Sequence, residues 1–80
     1  MCAGCLAEGR VIAAEHVDHI FPWMHIGDHA FTRNIFQSLC PACHSSKTSL
    51  ESKGVFRMYG TPHKDYGLKD YARVMKDVFG

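Results

Sequence analysis

Two Cys-x-x-Cys pairs, Cys2-Ala-Gly-Cys5 and Cys40-Pro-Ala-Cys43, each offer two thiols from one tight turn, and four thiolates make a complete ligand set for a tetrahedral zinc ion. A redox role for either pair would need a thioredoxin-like strand and long helix around it, and neither pair has them. The 34 residues between Cys5 and Cys40 exceed the ~15–20 of a simple zinc ribbon, so something is inserted between the knuckles. The insert carries Asp18-His19 and Asn34, and His44 directly follows the second knuckle. A carboxylate and an imidazole, Asp18 and His44, can hold one divalent cation that neutralises a scissile phosphate and stabilises a leaving oxygen. A second imidazole off the metal, His19, can take a proton from an attacking water, since an unperturbed imidazole titrates at about 6.5. Its other ring nitrogen needs an anchor, expected from the backbone or from the side chain of Asn34. Together these are the parts of a hydrolytic phosphodiesterase.

The elements that must position these groups follow from the pattern around them. Residues 10 to 20 are rich in small and branched side chains and are closed by Phe21-Pro22, which predicts a strand ended by proline. A loop from Trp23 to Arg33 follows, and Asn34 to Leu39 predict a second short strand, antiparallel to the first, that runs into the Cys40 knuckle. Pro41 suits the first turn of a helix that continues to about Ser52, with Gly54 as its stop. This helix is polar, with Leu50 its main apolar residue, so metal ligands at its start are expected to hold it in place of core packing. After a turn-rich connection from Gly60 to Gly67, Leu68, Tyr71, Ala72, Met75, Val78 and Phe79 fall at helical spacing and predict a C-terminal amphipathic helix. Adjacent strand residues point to opposite faces, so Asp18 and His19 converge on one phosphate only if the ladder stops or bulges near His19.

With 80 residues, one domain spanning 1–80 is the limit, and a chain of this size buries only about 60% of its unfolded surface. A structural zinc, whose apparent binding energy of about 10–16 kcal/mol is realised as folding energy, would supply the missing stability. The chain is therefore expected not to fold without metal. A net charge of +1 and a hydrophobic fraction of 46% exclude a disordered chain or a strongly basic arm. No apolar run approaches a membrane span, and the N-terminus lacks the design of a signal peptide, so a cytoplasmic protein is expected. Reduced thiols in that compartment favour metal over disulfides.

The run Val17-Asp18-His19-Ile20-Phe21-Pro22, followed by Asn34-Ile-Phe-Gln37-Ser-Leu39-Cys40-Pro-Ala-Cys43-His44-Ser45-Ser46-Lys47-Thr48, resembles the HNH endonucleases, most closely their small phage-type members. His19, Asn34 and His44 match the three letters of that name. The resemblance covers residues 2–51, leaving about 55–80 as a helical extension. It implies a small α+β, ββα-metal (His-Me) finger that nicks or cuts DNA with one divalent cation, Mg2+, Mn2+ or another. It implies His19 as general base, Asp18 and His44 as ligands of the catalytic ion, Asn34 positioning the His19 loop, and structural Zn2+ on Cys2, Cys5, Cys40 and Cys43. DNA is the implied substrate, and a phage packaging component the implied kind of protein partner. Relatives of this type commonly carry a further stretch before the first knuckle, so a minimal or trimmed form is expected. Ile35 and Phe36 place one residue more before Gln37 than the family often has, which shifts the expected register of the second strand.

The remaining residues are less committed. His16 shares a strand face with Asp18 and is expected to be half-buried. Lys47, on the polar helix beside His44, is a candidate phosphate contact or a solvated lysine, and Trp23 a loop anchor. Between residues 33 and 64, Arg33, Lys47, Lys53, Arg57 and Lys64 face only Glu51 in sequence, a modest excess that suits a phosphate-facing side. The competing reading is a non-catalytic zinc module that docks on nucleic acid or protein; it needs one metal per chain and no Asp18–His44 pair. An RNase on the same scaffold also fits the residues.

Overall fold

The computed structural model describes residues 1–80. The chain opens with the short helix α1 (Ala3–Ala7), then β1 (His16–His19), α2 (Trp23–Ile26), a 3-10 segment Gly27–Phe31, β2 (Phe36–Leu39) and α3 (Pro41–Glu51). The hairpin β3 (Phe56–Met58) and β4 (Lys64–Tyr66), a 3-10 turn Leu68–Asp70 and α4 (Tyr71–Phe79) complete it. The fold is small α+β, and β1, β2 and α3 form its ββα unit. No helix is long and apolar enough to cross a membrane.

β1 and β2 pair antiparallel, His16 opposite Leu39 and His19 opposite Phe36. The strand expected over 10–20 is much shorter because its partner is short: beyond the Glu15 N–H bond to Leu39 O at 3.1 Å, Cys40 leaves the ladder to start α3. Residues 10–15 instead run back over the first knuckle, where the Cys2 N–H donates to Ile12 O at 2.8 Å. At the other end the ladder reaches Ile20 N–H to Ile35 O at 2.9 Å. Asn34, expected to begin the strand, lies just beyond it and continues the pairing with its side chain. Its Oδ1 accepts from the N–H groups of Phe21 at 3.2 Å and Ile35 at 2.8 Å, and its Nδ2 donates to Phe21 O at 2.8 Å and Ala30 O at 3.3 Å.

The apolar core is small: Ile20, Phe21, Phe56, Val74 and Met75, with Ile26, Ile35, Met58, Tyr66 and Tyr71 around it. A second buried cluster consists of Cys2, Cys5, Cys40 and Leu39, flanked by Cys43 and Tyr59. Half of the molecule therefore has thiols where a larger domain would have aliphatic side chains.

Three expectations are corrected here. The connection from Gly60 to Gly67 is mostly the turn and second strand of the β3–β4 hairpin, fixed by the cross-strand pair of Arg57 and Asp65 at 2.7 and 3.0 Å. The loop from Trp23 to Arg33 contains helical turns, with Gly27 at φ 64° between them. On α4 the buried face is Val74 and Met75 with Tyr71 beside them, whereas Val78 and Phe79 are about half exposed and Leu68 lies in the preceding 3-10 turn. The stop after α3 is as expected: Gly54, at φ 78°, supplies the left-handed turn, and the Val55 N–H closes on Leu50 O at 3.0 Å.

Candidate active site and metal centre

The two knuckles have one local geometry. Cys2 is the N-cap of α1 and Cys5 its third residue, and Cys40 and Cys43 occupy the same places on α3. The first turn of a helix leaves N–H groups unpaired and carries partial positive charge, which suits thiolates; the Cys5 N–H accordingly points at Cys2 Sγ at 3.5 Å. The second knuckle starts its helix with Pro41 at the first position, where no N–H is needed. Gly4 lets the knuckles close, since a Cβ there would lie 2.8 Å from Cys43 Sγ.

The four Sγ atoms lie within 4.8 Å of one another. Cys5 Sγ is 3.8 Å from Cys40 Sγ and 3.7 Å from Cys43 Sγ, and a tetrahedron with Zn–S bonds of ~2.3 Å has edges of about 3.8 Å. The charge state of the thiols agrees with that fit. Burial works against ionising Cys2, but hydrogen bonds from the backbone of Cys40 and Cys5 and from neighbouring thiols outweigh it and lower its pKa to about 6. Burial pushes Cys5 and Cys43 up. A divalent cation is the group that lets all four ionise together, and Arg10, whose Nη2 lies 3.8 Å from Cys5 Sγ, adds a further positive charge.

Because Cys43 is fixed, His44 is fixed beside it, on the face of α3 turned to β1. Asp18, His19 and His44 line one open cleft of about 170 Å³, together with Val17, Trp23 and Phe31. The ladder has no bulge, but its last registered pair is His19 with Phe36, so of the two expected routes it is the end of the strand that occurs at His19. Val17, Asp18 and His19 alternate faces yet share the cleft, which therefore runs along the edge of β1 that has no neighbouring strand.

Asp18 is buried and divided between two tasks. Its Oδ2 accepts from Gln37 Nε2 at 3.0 Å and lies 3.1 Å from Lys47 Nζ, while Oδ1 lies 3.9 Å from His44 Nε2. Neighbouring ligands of one small cation with metal–ligand bonds of about 2.1 Å lie about 3.0–3.4 Å apart, so the two side chains would close by about half an ångström to share one. The His44 ring is stacked on His16 with centroids 4.6 Å apart; His16, expected to be half-buried, is exposed. The His19 ring packs edge-on against Phe36 and Phe31, with centroids at 4.9 and 5.7 Å. Asn34 makes no hydrogen bond to this ring. It ties Phe21 to Ala30 and so holds the ends of the loop that follows His19.

Lys47 is placed differently from its expected role. Its side chain is fully buried, and its ammonium group contacts Glu51, Asp18, His19 O at 3.3 Å and Ile20 O at 3.1 Å. With its protons directed inward it is no phosphate contact; it is the internal countercharge that holds α3 to β1. The basic run between 33 and 64 is likewise dispersed, because Lys47 is internal and Arg57 is paired with Asp65. Gln37 was missed by sequence reasoning: besides Asp18 it binds Arg57 O at 2.9 Å and the Tyr59 N–H at 2.9 Å, joining both hairpins. Glu51 was assigned no part, although its spacing of four residues from Lys47 is that of a helical ion pair.

A family model described as HNH endonuclease matches residues 2–50, more than half of the 80-residue chain. No curated protein and no solved structure matches it.

Two outcomes follow from this geometry. The purified protein should carry one zinc per chain on its cysteines, and stripping it with a strong chelator should abolish the helical circular dichroism signal; an unchanged spectrum in the metal-free chain would contradict the fit. Lys47→Ala, which leaves buried Asp18 and part-buried Glu51 without their countercharge, should cost about 3–5 kcal/mol in urea unfolding of the zinc-loaded protein, and a cost under about 1 kcal/mol would show that the network is solvated.

Proposed function

The chain belongs to the HNH endonuclease family, and from that premise we propose that it is a metal-dependent DNA endonuclease whose active site is the cleft along β1. The observation that carries this reading is the junction of Asp18, His19 and His44 in one cleft, with Asp18 Oδ1 turned toward His44 Nε2 at 3.9 Å. Asp18 and His44 hold the catalytic ion. A divalent cation bound there supplies charge for the scissile phosphate and for the leaving oxygen. His19 is the general base that takes the proton from the attacking water. The edge-on packing of its ring against Phe31 and Phe36 limits the orientations it samples.

The other residues position these three. Lys47 and Gln37 hold Oδ2 of Asp18 and thereby orient Oδ1. Asn34 clamps the loop beyond His19, and Cys43, held on the zinc, sets where His44 begins. The Asp18–His44 pair is also what separates this reading from a non-catalytic zinc module, which has no use for it.

The test is nicking of supercoiled plasmid by zinc-loaded protein, with Mg2+ or Mn2+ and without either. Wild type should convert supercoiled to open-circle or linear DNA only with the added ion. His19→Ala should lower the rate at least ~100-fold, the scale of a lost general base, while zinc content and circular dichroism stay unchanged. Full activity in that variant would remove His19 from the mechanism, and no cutting by a folded, zinc-loaded wild type would turn the reading toward the binding module.

A further inference from the structure

The chain has four arginines. Arg10, Arg57 and Arg73 each sit on a carboxylate, those of Glu8, Asp65 and Asp70. Arg33 has no acidic partner: its guanidinium lies over the ring of Phe79, 5.3 Å from the centroid. A ring holds a guanidinium in place without cancelling its charge, and leaves the N–H edges free for an anion. The backbone at Arg33 is held as well, since the Tyr71 hydroxyl donates to its carbonyl at 2.6 Å.

Arg33 lines a separate open cleft of about 340 Å³ between the 3-10 segment and α4, with His29 and Lys76 on its walls and no Asp or Glu among the lining side chains. Lys76, like Arg33, forms no ion pair, and both are exposed. In a chain with a net charge of only +1, two unneutralised cations and a histidine in one concavity form a local anion site. Its place in the chain says which anion. Ala30 and Phe31 line the cleft of Asp18, His19 and His44, while His29 and Arg33, one and two residues away, line this one. One segment, residues 29–33, thus contributes to both clefts.

We infer that Arg33 and Lys76 each bind a backbone phosphate of duplex DNA flanking the scissile one, so that the extension carrying α4 is part of the substrate-binding surface. This rests on the nuclease reading for the identity of the polyanion. The phosphate contact positions the duplex on the protein and reads no sequence. Phe79, through its stacking on Arg33, is a positioning residue for that contact.

The test is the salt dependence of binding to a short duplex, measured with zinc-loaded protein in buffer without Mg2+ or Mn2+, beside the plasmid assay. Each phosphate contact contributes about 0.9 to the slope of log K against log salt for B-DNA. Lys76→Gln should therefore lower the slope by about 1, and Arg33→Gln with Lys76→Gln by about 2. In the nicking assay the double variant should raise KM with kcat within about twofold of wild type. Lys69→Gln, exposed and outside the cleft, should leave the slope unchanged. Because Lys76 is exposed on α4, its single variant keeps the test valid even if the Arg33 change disturbs the fold. If wild type cuts and binds DNA but neither variant changes the slope, the cleft is overturned and the nuclease reading stands. If wild type neither cuts nor binds DNA, the nuclease reading falls and the cleft's assignment falls with it.

Discussion

Four thiols drawn within 4.8 Å of one another tie the first residues of the chain to the junction of β2 and α3, and the rest of the molecule is arranged around that tie. Both knuckles use a helix start, so each pair arrives with unpaired N–H groups facing its sulfurs. Such a cluster cannot hold four negative charges without a cation, as the opposite shifts of Cys2 and Cys43 show. Metal binding at such a cluster is expected to be coupled to folding. The same constraint shortens the sheet: Cys40 must leave the ladder to reach the other thiols, and β1 begins where its partner ends.

A second constraint is electrostatic and lies inside the ββα unit. Lys47 places a buried ammonium between Asp18, Glu51 and two β1-end carbonyls. Burying these charges is tolerable only because each is paired and hydrogen-bonded. The gain is positional, since α3 offers little apolar surface and would otherwise slide on β1. Asp18 is thereby held with one oxygen turned inward and one turned to His44, so the scaffold and the cleft along β1 share a carboxylate. Gln37 closes the arrangement from the β3–β4 side, which is how a hairpin remote from the cleft comes to support it.

Much of this was legible in the sequence, and what was not has physical causes. The clustering of the four cysteines was readable because Cys-x-x-Cys spacing is itself the geometry of a helix start. The strand, loop, strand, helix order was readable from Pro22, Pro41 and Gly54, whose backbone constraints act locally. The ends of β1 were not, because they depend on how long β2 can remain a partner. Lys47 was misjudged because a lysine on a polar helix is normally solvated, and its burial follows from acceptors contributed by β1 and by the next turn of α3. The β3–β4 hairpin was hidden by short strands whose side chains do not alternate cleanly between apolar and polar. The buried face of α4 was rotated from the expected one because Val74 packs on Phe21 and Phe56, a tertiary choice that periodicity alone does not specify.

The central claim is that Asp18 and His44 hold a second divalent ion, apart from the zinc. It is tested most directly by titrating Mn2+ into zinc-loaded protein while following paramagnetic broadening of backbone amide resonances. One Mn2+ per chain is expected, broadening Val17, Asp18, His19 and His44, with the effect lost in Asp18→Ala while zinc stays bound. Broadening centred on the cysteine cluster, or Mn2+ binding that survives the loss of Asp18, would contradict it.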